Sequence, residues 1–175
     1  MARAGETIEN PITGERVTWL ATSADTEGEL LRLEWTVAPG GAVAAAHVHP
    51  FQEERFEFRA GSARMRLGRR VVKVDAPHVV EVPPGVAHRV WNAGDEELRA
   101  VIEFRPALRT ESFFEQLWDG RLNRRGMPTF GLAVELARAN YLDEVRLPWI
   151  PLAAQRALQT VLVASGKALA RARRA

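Results

Sequence analysis

Apolar and polar residues alternate with a period of two through the first half of the chain. Leu33 and Trp35, for example, flank Glu34, and the alternation continues with interruptions from about Val17 to Phe104. Because successive side chains of a β-strand point to opposite faces, this pattern predicts strands with one buried face and one hydrated face.

Turn-forming residues separate these segments at short intervals. Glycine, proline, asparagine or aspartate occurs in each of the segments 39–41, 60–62, 75–77, 83–85 and 92–95. These residue types favour tight turns because they tolerate or fix the backbone angles that turns need. Many short strands joined by such turns are typical of a β-sandwich or a β-barrel.

The period changes to that of helices after Pro106. Segments 110–118, 132–145 and 151–170 each predict a helix. One side of the third helix carries apolar residues that we expect to pack on protein, either the barrel or a second subunit, rather than on a membrane surface: Leu158, Val161, Leu162 and Leu169.

The length of 175 residues suits one ordinary domain with an appendage. We therefore divide the chain into a β-barrel domain with an N-terminal arm, residues 1–106, and an α-helical extension packed on the barrel, residues 107–175. No apolar segment approaches the roughly 20 residues that a membrane span needs, and the N-terminus lacks an apolar signal segment, so we expect a cytoplasmic location.

Positive charge is concentrated at the end of the chain, although the formal net charge is only +2. No acidic residue follows Glu144, whereas arginine and lysine recur up to Arg174. A hydrated helix face explains this distribution, so neither nucleic acid nor a membrane is an expected partner.

Three histidines and one glutamate form the strongest candidate for chemistry. The chain contains no cysteine, so a metal site must use imidazole and carboxylate ligands. His47 and His49 are two residues apart, which on a strand places both rings on one face. Glu54 follows a short turn at Pro50, and a returning strand would bring its carboxylate beside these rings. His88 follows a Pro-Pro-Gly turn, where another strand begins.

The first of these segments resembles a motif of the cupin superfamily, G-x5-H-x-H-x3 or x4-E-x6-G. Gly41, His47, His49, Glu54 and Gly61 match it with the four-residue spacer. The resemblance implies a jelly-roll barrel, also called a double-stranded β-helix, for the all-β core.

The second segment resembles the other cupin motif, G-x5-P-x-G-x2-H-x3-N. Pro83, Gly85, His88 and Asn92 match it, whereas Pro77 stands in place of the leading glycine. That departure concerns a turn and none of the expected ligands. The resemblance covers about half of the chain and leaves the helical extension outside it.

The resemblance implies one divalent metal ion held by His47, His49, Glu54 and His88. Such ligands suit iron, manganese, nickel, zinc or copper and leave coordination positions for a small-molecule substrate. We expect a metal-dependent enzyme that resembles the quercetin dioxygenases, with Glu54 also available as a catalytic base. The alternatives are a metal-dependent isomerase or lyase, and a cupin that binds a small molecule without catalysis.

Five residues are spaced to face the same interior as the ligands: Trp35, Phe56, Phe58, Val90 and Phe104. They can line a substrate pocket or fill the core, and the sequence leaves both readings open. His78 has no partner at motif spacing, so we expect it at the surface. A homodimer is the expected assembly.

Overall fold

The computed structural model describes residues 2–10, 12–43, 45–119, 121–123 and 128–172. These ranges contain nine strands followed by three helices. The strands are β1 Thr7–Asn10, β2 Glu15–Ala21, β3 Leu31–Val37, β4 Glu53–Ala60, β5 Ser62–Leu67, β6 Arg70–Asp75, β7 His78–Val82, β8 His88–Asn92 and β9 Leu98–Arg105. The helices are α1 Thr110–Leu117, α2 Phe130–Ala139 and α3 Leu152–Ala172.

The strands form two antiparallel sheets. One sheet has the strand order β1-β2-β3-β9-β4-β7, and the other has the order β6-β5-β8. Neighbours in a sheet are often distant in sequence, as when β3 pairs with β9 and β4 pairs with both β9 and β7. This crossing order is that of a jelly-roll core, as the sequence predicts.

The alternation in β3 illustrates how the core is built. Leu31, Leu33 and Val37 are fully buried and Trp35 is 2% exposed, whereas the residues between them are only partly buried. Pairing of β3 with β9 sets Leu33 opposite Ile102, so both strands contribute the same face to the interior. The period-two prediction is therefore confirmed.

Gly61 occupies a turn that other residues would strain. Its φ of 83° lies in the left-handed region, and a Cβ atom there would come within 3.0 Å of the Glu97 carbonyl oxygen. The tight connection between β4 and β5 therefore needs glycine.

The second helix is shorter than its sequence predicts, and this part of the prediction is wrong. It ends at Ala139 rather than Val145, because Asn140 adopts a left-handed conformation with φ 57° and ψ 69°. The following residues leave the helix axis and run back to the barrel. The other two helices begin and end within two residues of the predicted positions.

Helix α3 packs against α2 rather than on the barrel. A Cβ atom on Gly166 would lie 2.6 Å from Val134 Cγ1, so the two helices approach closely there. Of the four apolar residues expected to pack on the barrel or on a second subunit, Leu162 is partly buried, whereas Leu158, Val161 and Leu169 are 54%, 60% and 48% exposed, so the barrel does not cover these three. A second subunit over these three residues stays a prediction.

No helix in the described ranges combines the length and the hydropathy that crossing a lipid bilayer requires. Residues 173–175, with the last arginines of the basic segment, lie outside those ranges.

Two glycine substitutions should distinguish the effect of helix propensity on the free energy of unfolding from the effect of close packing between α2 and α3. Gly166→Ala should lower the free energy of unfolding by about 1–3 kcal/mol, because the new methyl group meets the stiff Val134 side chain. Gly131→Ala is the matched control, since no atom lies within 4 Å of a Cβ there. It should stabilise the protein by up to about 1 kcal/mol. Urea denaturation measures both, and equal effects of the two substitutions would contradict this packing.

Candidate metal centre

Backbone pairing brings the ligand-bearing segments together. The His47 N–H donates to the His88 carbonyl at 2.9 Å, and the His88 N–H donates to the His47 carbonyl at 2.8 Å. His88 is the first residue of β8, and Glu54 is the second residue of β4. His47 and Val48 form isolated bridges rather than a full strand, and the ring centroids of His47 and His49 lie only 4.9 Å apart.

All four predicted ligands converge on one point. One ligand atom from each of His47, His49, Glu54 and His88 lies within 4.8 Å of the others. Glu54 Oε2 lies 2.6 Å from His88 Nε2 and 3.5 Å from His49 Nε2. His78, in contrast, is exposed at the start of β7, as expected.

The second nitrogen of each imidazole ring lies against a backbone carbonyl oxygen. Nδ1 of His47, His49 and His88 is 3.1, 2.5 and 3.0 Å from the carbonyl oxygens of Ala45, Glu144 and Val86, respectively. A carbonyl only accepts, so each Nδ1 carries the proton and donates. In the neutral form of each ring the Nε2 lone pair then faces the site of the metal ion, in the arrangement usual for metal-binding histidines.

The unpaired polar atoms of the site test whether a metal fits. His49 Nε2, His88 Nε2 and Glu54 Oε2 are buried, and none has a hydrogen bond of good geometry. Buried polar atoms without partners are costly, and a cation bound between them would satisfy all of them. Three imidazole nitrogens and one carboxylate oxygen are also a donor set that divalent transition metals prefer. The residues therefore fit one metal ion.

The pKa shifts of Glu54, His47 and His49 favour the charge states in which these residues bind a cation. Burial alone would raise the pKa of Glu54, but interaction with the adjacent imidazoles, first His88 and then His49, lowers it to about 2. Burial lowers the pKa of His49, and burial together with the charges of His88 and His49 lowers the pKa of His47 to about 3. Glu54 is therefore ionised near neutral pH, and two of the rings are neutral.

His88 differs from the other two histidines. Burial would lower its pKa, but the adjacent Glu54 carboxylate more than offsets that effect and raises it. A proton on His88 Nε2 would therefore compete with a metal ion more strongly than a proton on either of the other two rings.

The five residues predicted to face the same interior as the ligands lie around this cluster or in the hydrophobic core behind it. The Phe56 ring lies 6.2 Å from the His88 ring, and the Phe104 ring lies 5.3 Å from the His49 ring. All five side chains, including Trp35, Phe58 and Val90, are at most 2% exposed and belong to the hydrophobic core. Whether they also border a substrate stays a prediction.

Sequence reasoning missed two residues next to the site. The Glu144 carbonyl oxygen is the partner of His49 Nδ1, and Arg109 binds the Glu144 carboxylate. Neither contact has a local sequence signal, because 95 residues separate His49 from Glu144. The helical pattern over 132–145 pointed in another direction.

Comparison with solved structures identifies proteins with a similar fold. Oxalate decarboxylase from Bacillus subtilis is 27% identical with a TM-score of 0.50, and the match covers 65% of this chain and 34% of that chain. A predicted oxalate decarboxylase from Thermotoga maritima is 19% identical with a TM-score of 0.52, covering 59% and 92% of the two chains. The second likeness concerns the fold alone.

One of two sequence comparisons agrees with this likeness. No curated protein matches the chain in sequence. A family model described as the cupin domain matches residues 33–103, which contain all four ligands and both histidine motifs. Residues 33–103 of this chain therefore form a domain of the cupin family.

Proposed function

We propose that this protein is a metal-dependent enzyme that oxidises a small organic substrate in a dioxygenase-like reaction. The observation that carries the proposal is the convergence of three imidazole nitrogens and a carboxylate oxygen within 4.8 Å of one another. These four residues would hold one divalent ion. When bound, the ion would polarise substrate oxygen atoms and, as iron, manganese, nickel or copper, supply redox chemistry with dioxygen.

The surroundings of the ligands favour a substrate with an apolar body. Phe56 and Phe104 lie beside the histidines, and the buried residues in the described ranges include no lysine or arginine. A second charged group on a substrate would lack a buried cationic partner there. We therefore propose an enol-like or catechol-like substrate with two neighbouring oxygen atoms.

Exposure indicates the side from which a substrate approaches. His49, Glu54 and His88 are 7%, 4% and 1% exposed, whereas His47 is only partly buried. The open side of the site is thus that of His47, and the buried side is filled by the barrel core.

Glu54 is the proposed base. Its carboxylate is ionised near neutral pH because His88 and His49 oppose the effect of burial on its pKa. A carboxylate has two oxygen atoms, so Glu54 can ligate an ion through one and accept a substrate hydroxyl proton on the other.

A lyase reaction is the second candidate, and the likeness to the Bacillus subtilis oxalate decarboxylase favours it. That likeness spans about a third of the neighbour's length, so the neighbour's activity does not transfer directly. Decarboxylation would break the carbon–carbon bond of the oxalate dianion and take up one proton, yielding carbon dioxide and formate without net consumption of dioxygen.

Substitution of one ligand should remove metal binding. His88→Ala should raise the Kd for Zn(II) or Mn(II) more than about 100-fold, because it removes a ligand itself and not only a supporting contact. His78→Ala is the matched control, since His78 is an exposed histidine outside the cluster. Calorimetric titration of stripped protein gives the affinities. Unchanged affinity in His88→Ala would refute this ligand set.

Metal binding should release close to one proton below neutral pH. The pKa of His88 is raised while those of His47 and His49 are lowered, so His88 is the ring that keeps its second proton to the highest pH. As the pH falls from about 6.5 to about 5, affinity should drop about tenfold per pH unit. Calorimetry in buffers of different ionisation enthalpy counts the proton, and affinity independent of pH over this interval would contradict the assignment.

Product analysis separates the two reactions. Protein loaded in turn with Fe(II), Mn(II), Ni(II), Cu(II) or Zn(II) is supplied with a catechol-like substrate or with oxalate. Dioxygen uptake that the redox-active ions support and Zn(II) does not would support the oxidation. Carbon dioxide release from oxalate without dioxygen uptake would move the protein to the lyase class, and metal binding without any turnover would indicate a non-catalytic cupin.

A further inference from the structure

The segment after α2 runs back across the barrel and reaches the metal centre. We call this segment, residues 140–147, the strap. Arg146 and Val48 exchange two backbone hydrogen bonds, of 2.9 and 3.0 Å, which join the strap to the segment between His47 and His49. The Glu144 carbonyl in the strap accepts the hydrogen bond from His49 Nδ1 at 2.5 Å. The helical extension thereby supplies a hydrogen-bond acceptor to the metal ligand His49.

All three guanidinium nitrogen atoms of Arg109 donate hydrogen bonds to the strap or to Ala139, which directly precedes it. Its Nε and Nη2 donate to the two carboxylate oxygens of Glu144 at 2.9 and 3.2 Å. Nη1 donates to the Ala139 carbonyl at 3.0 Å, and Nη2 donates to the Asn140 carbonyl at 2.8 Å. The guanidinium also lies 5.0 Å from the centre of the Tyr141 ring. A planar fork with several donors suits these acceptors as a lysine ammonium does not.

Glu144 links Arg109 to the metal ligand His49. The Glu144 carboxylate is held by Arg109, while the carbonyl of the same residue is held by His49 Nδ1. The Glu144 side chain is only 3% exposed, so its charge depends on Arg109 for compensation. A shift of Glu144 would therefore move the acceptor that orients the His49 ring.

The loop around Arg109 is also hydrogen-bonded to the segment that carries His49 and Glu54. Gln52 lies between His49 and Glu54 and is fully buried. Its Nε2 lies within hydrogen-bonding distance of the Pro106 and Ala107 carbonyls, at 2.8 and 3.0 Å, and 2.8 Å from Thr110 Oγ1. The loop that carries Arg109 is thus fixed to the same short segment whose ligands the strap supports.

We infer that Arg109 is a positioning residue for the metal centre: through Glu144 it fixes the orientation and the protonated nitrogen of His49. The inference rests on the proposed metal site and extends it into the helical extension. Loss of supporting contacts of this kind typically lowers metal affinity 10-fold to 100-fold.

The experiment compares Arg109→Gln with Arg105→Gln. The two arginine side chains are equally exposed at 51%, and Arg105 pairs with Glu103 on β9 without contact to the strap. Calorimetry with Zn(II) gives the affinity, and the visible spectrum of the Co(II)-loaded protein reports the geometry of the ligands. Arg109→Gln should raise the Kd about 10-fold to 100-fold and alter the Co(II) spectrum, whereas Arg105→Gln should do neither.

Further variants protect the test against a folding defect. Arg109→Lys keeps the charge without the fork and should restore part of the affinity. Glu144→Gln removes the charged pair but leaves the carbonyl that His49 needs, and it should also weaken Zn(II) binding. It takes the place of Arg109→Gln in the test if that variant does not fold. A lower melting temperature with an unchanged Kd and Co(II) spectrum would overturn the inference, because that is the result of a merely structural role. A wild-type chain that binds neither ion would overturn the metal centre and this inference with it.

Discussion

The reciprocal backbone hydrogen bonds between His47 and His88 are the constraint on which the site depends. They place an irregular segment beside the start of β8, and with it three imidazole rings around the Glu54 carboxylate. Without this pairing His47 and His49 would still share a face, but they would face no third histidine. The metal centre is thus a consequence of strand pairing between two segments about 40 residues apart.

Burial of Glu54 is the energetic cost of this arrangement. A buried carboxylate is unfavourable unless positive charge compensates it, and here the imidazoles supply that charge and lower its pKa. A divalent ion would compensate the carboxylate more fully and would also satisfy the unpaired Nε2 atoms. The apolar rings of Phe56 and Phe104 keep the dielectric low around the site, so these charge interactions are strong.

The helical extension is joined to the barrel close to the ligands. Gln52 fixes the loop before α1, and the strap adds the Glu144 carbonyl beside His49. Helix α3 is bound in turn to the strap end, since Gln155 exchanges hydrogen bonds with Leu147. The extension therefore belongs to the structural support of the site, although it lies outside the region that the cupin family model matches.

The sequence by itself predicted the strands and the turns, because alternation, turn residues and the spacing of His47 and His49 are local properties that decide which way side chains point. It predicted Glu54 and His88 as further ligands through the resemblance to the two cupin motifs. Only the tertiary structure decided where the extension goes. The left-handed Asn140 ended a helix whose apolar period continued, and Arg109 contacts Glu144, which is 35 positions away in the sequence. Such contacts depend on how distant segments pack, and no local periodicity encodes them.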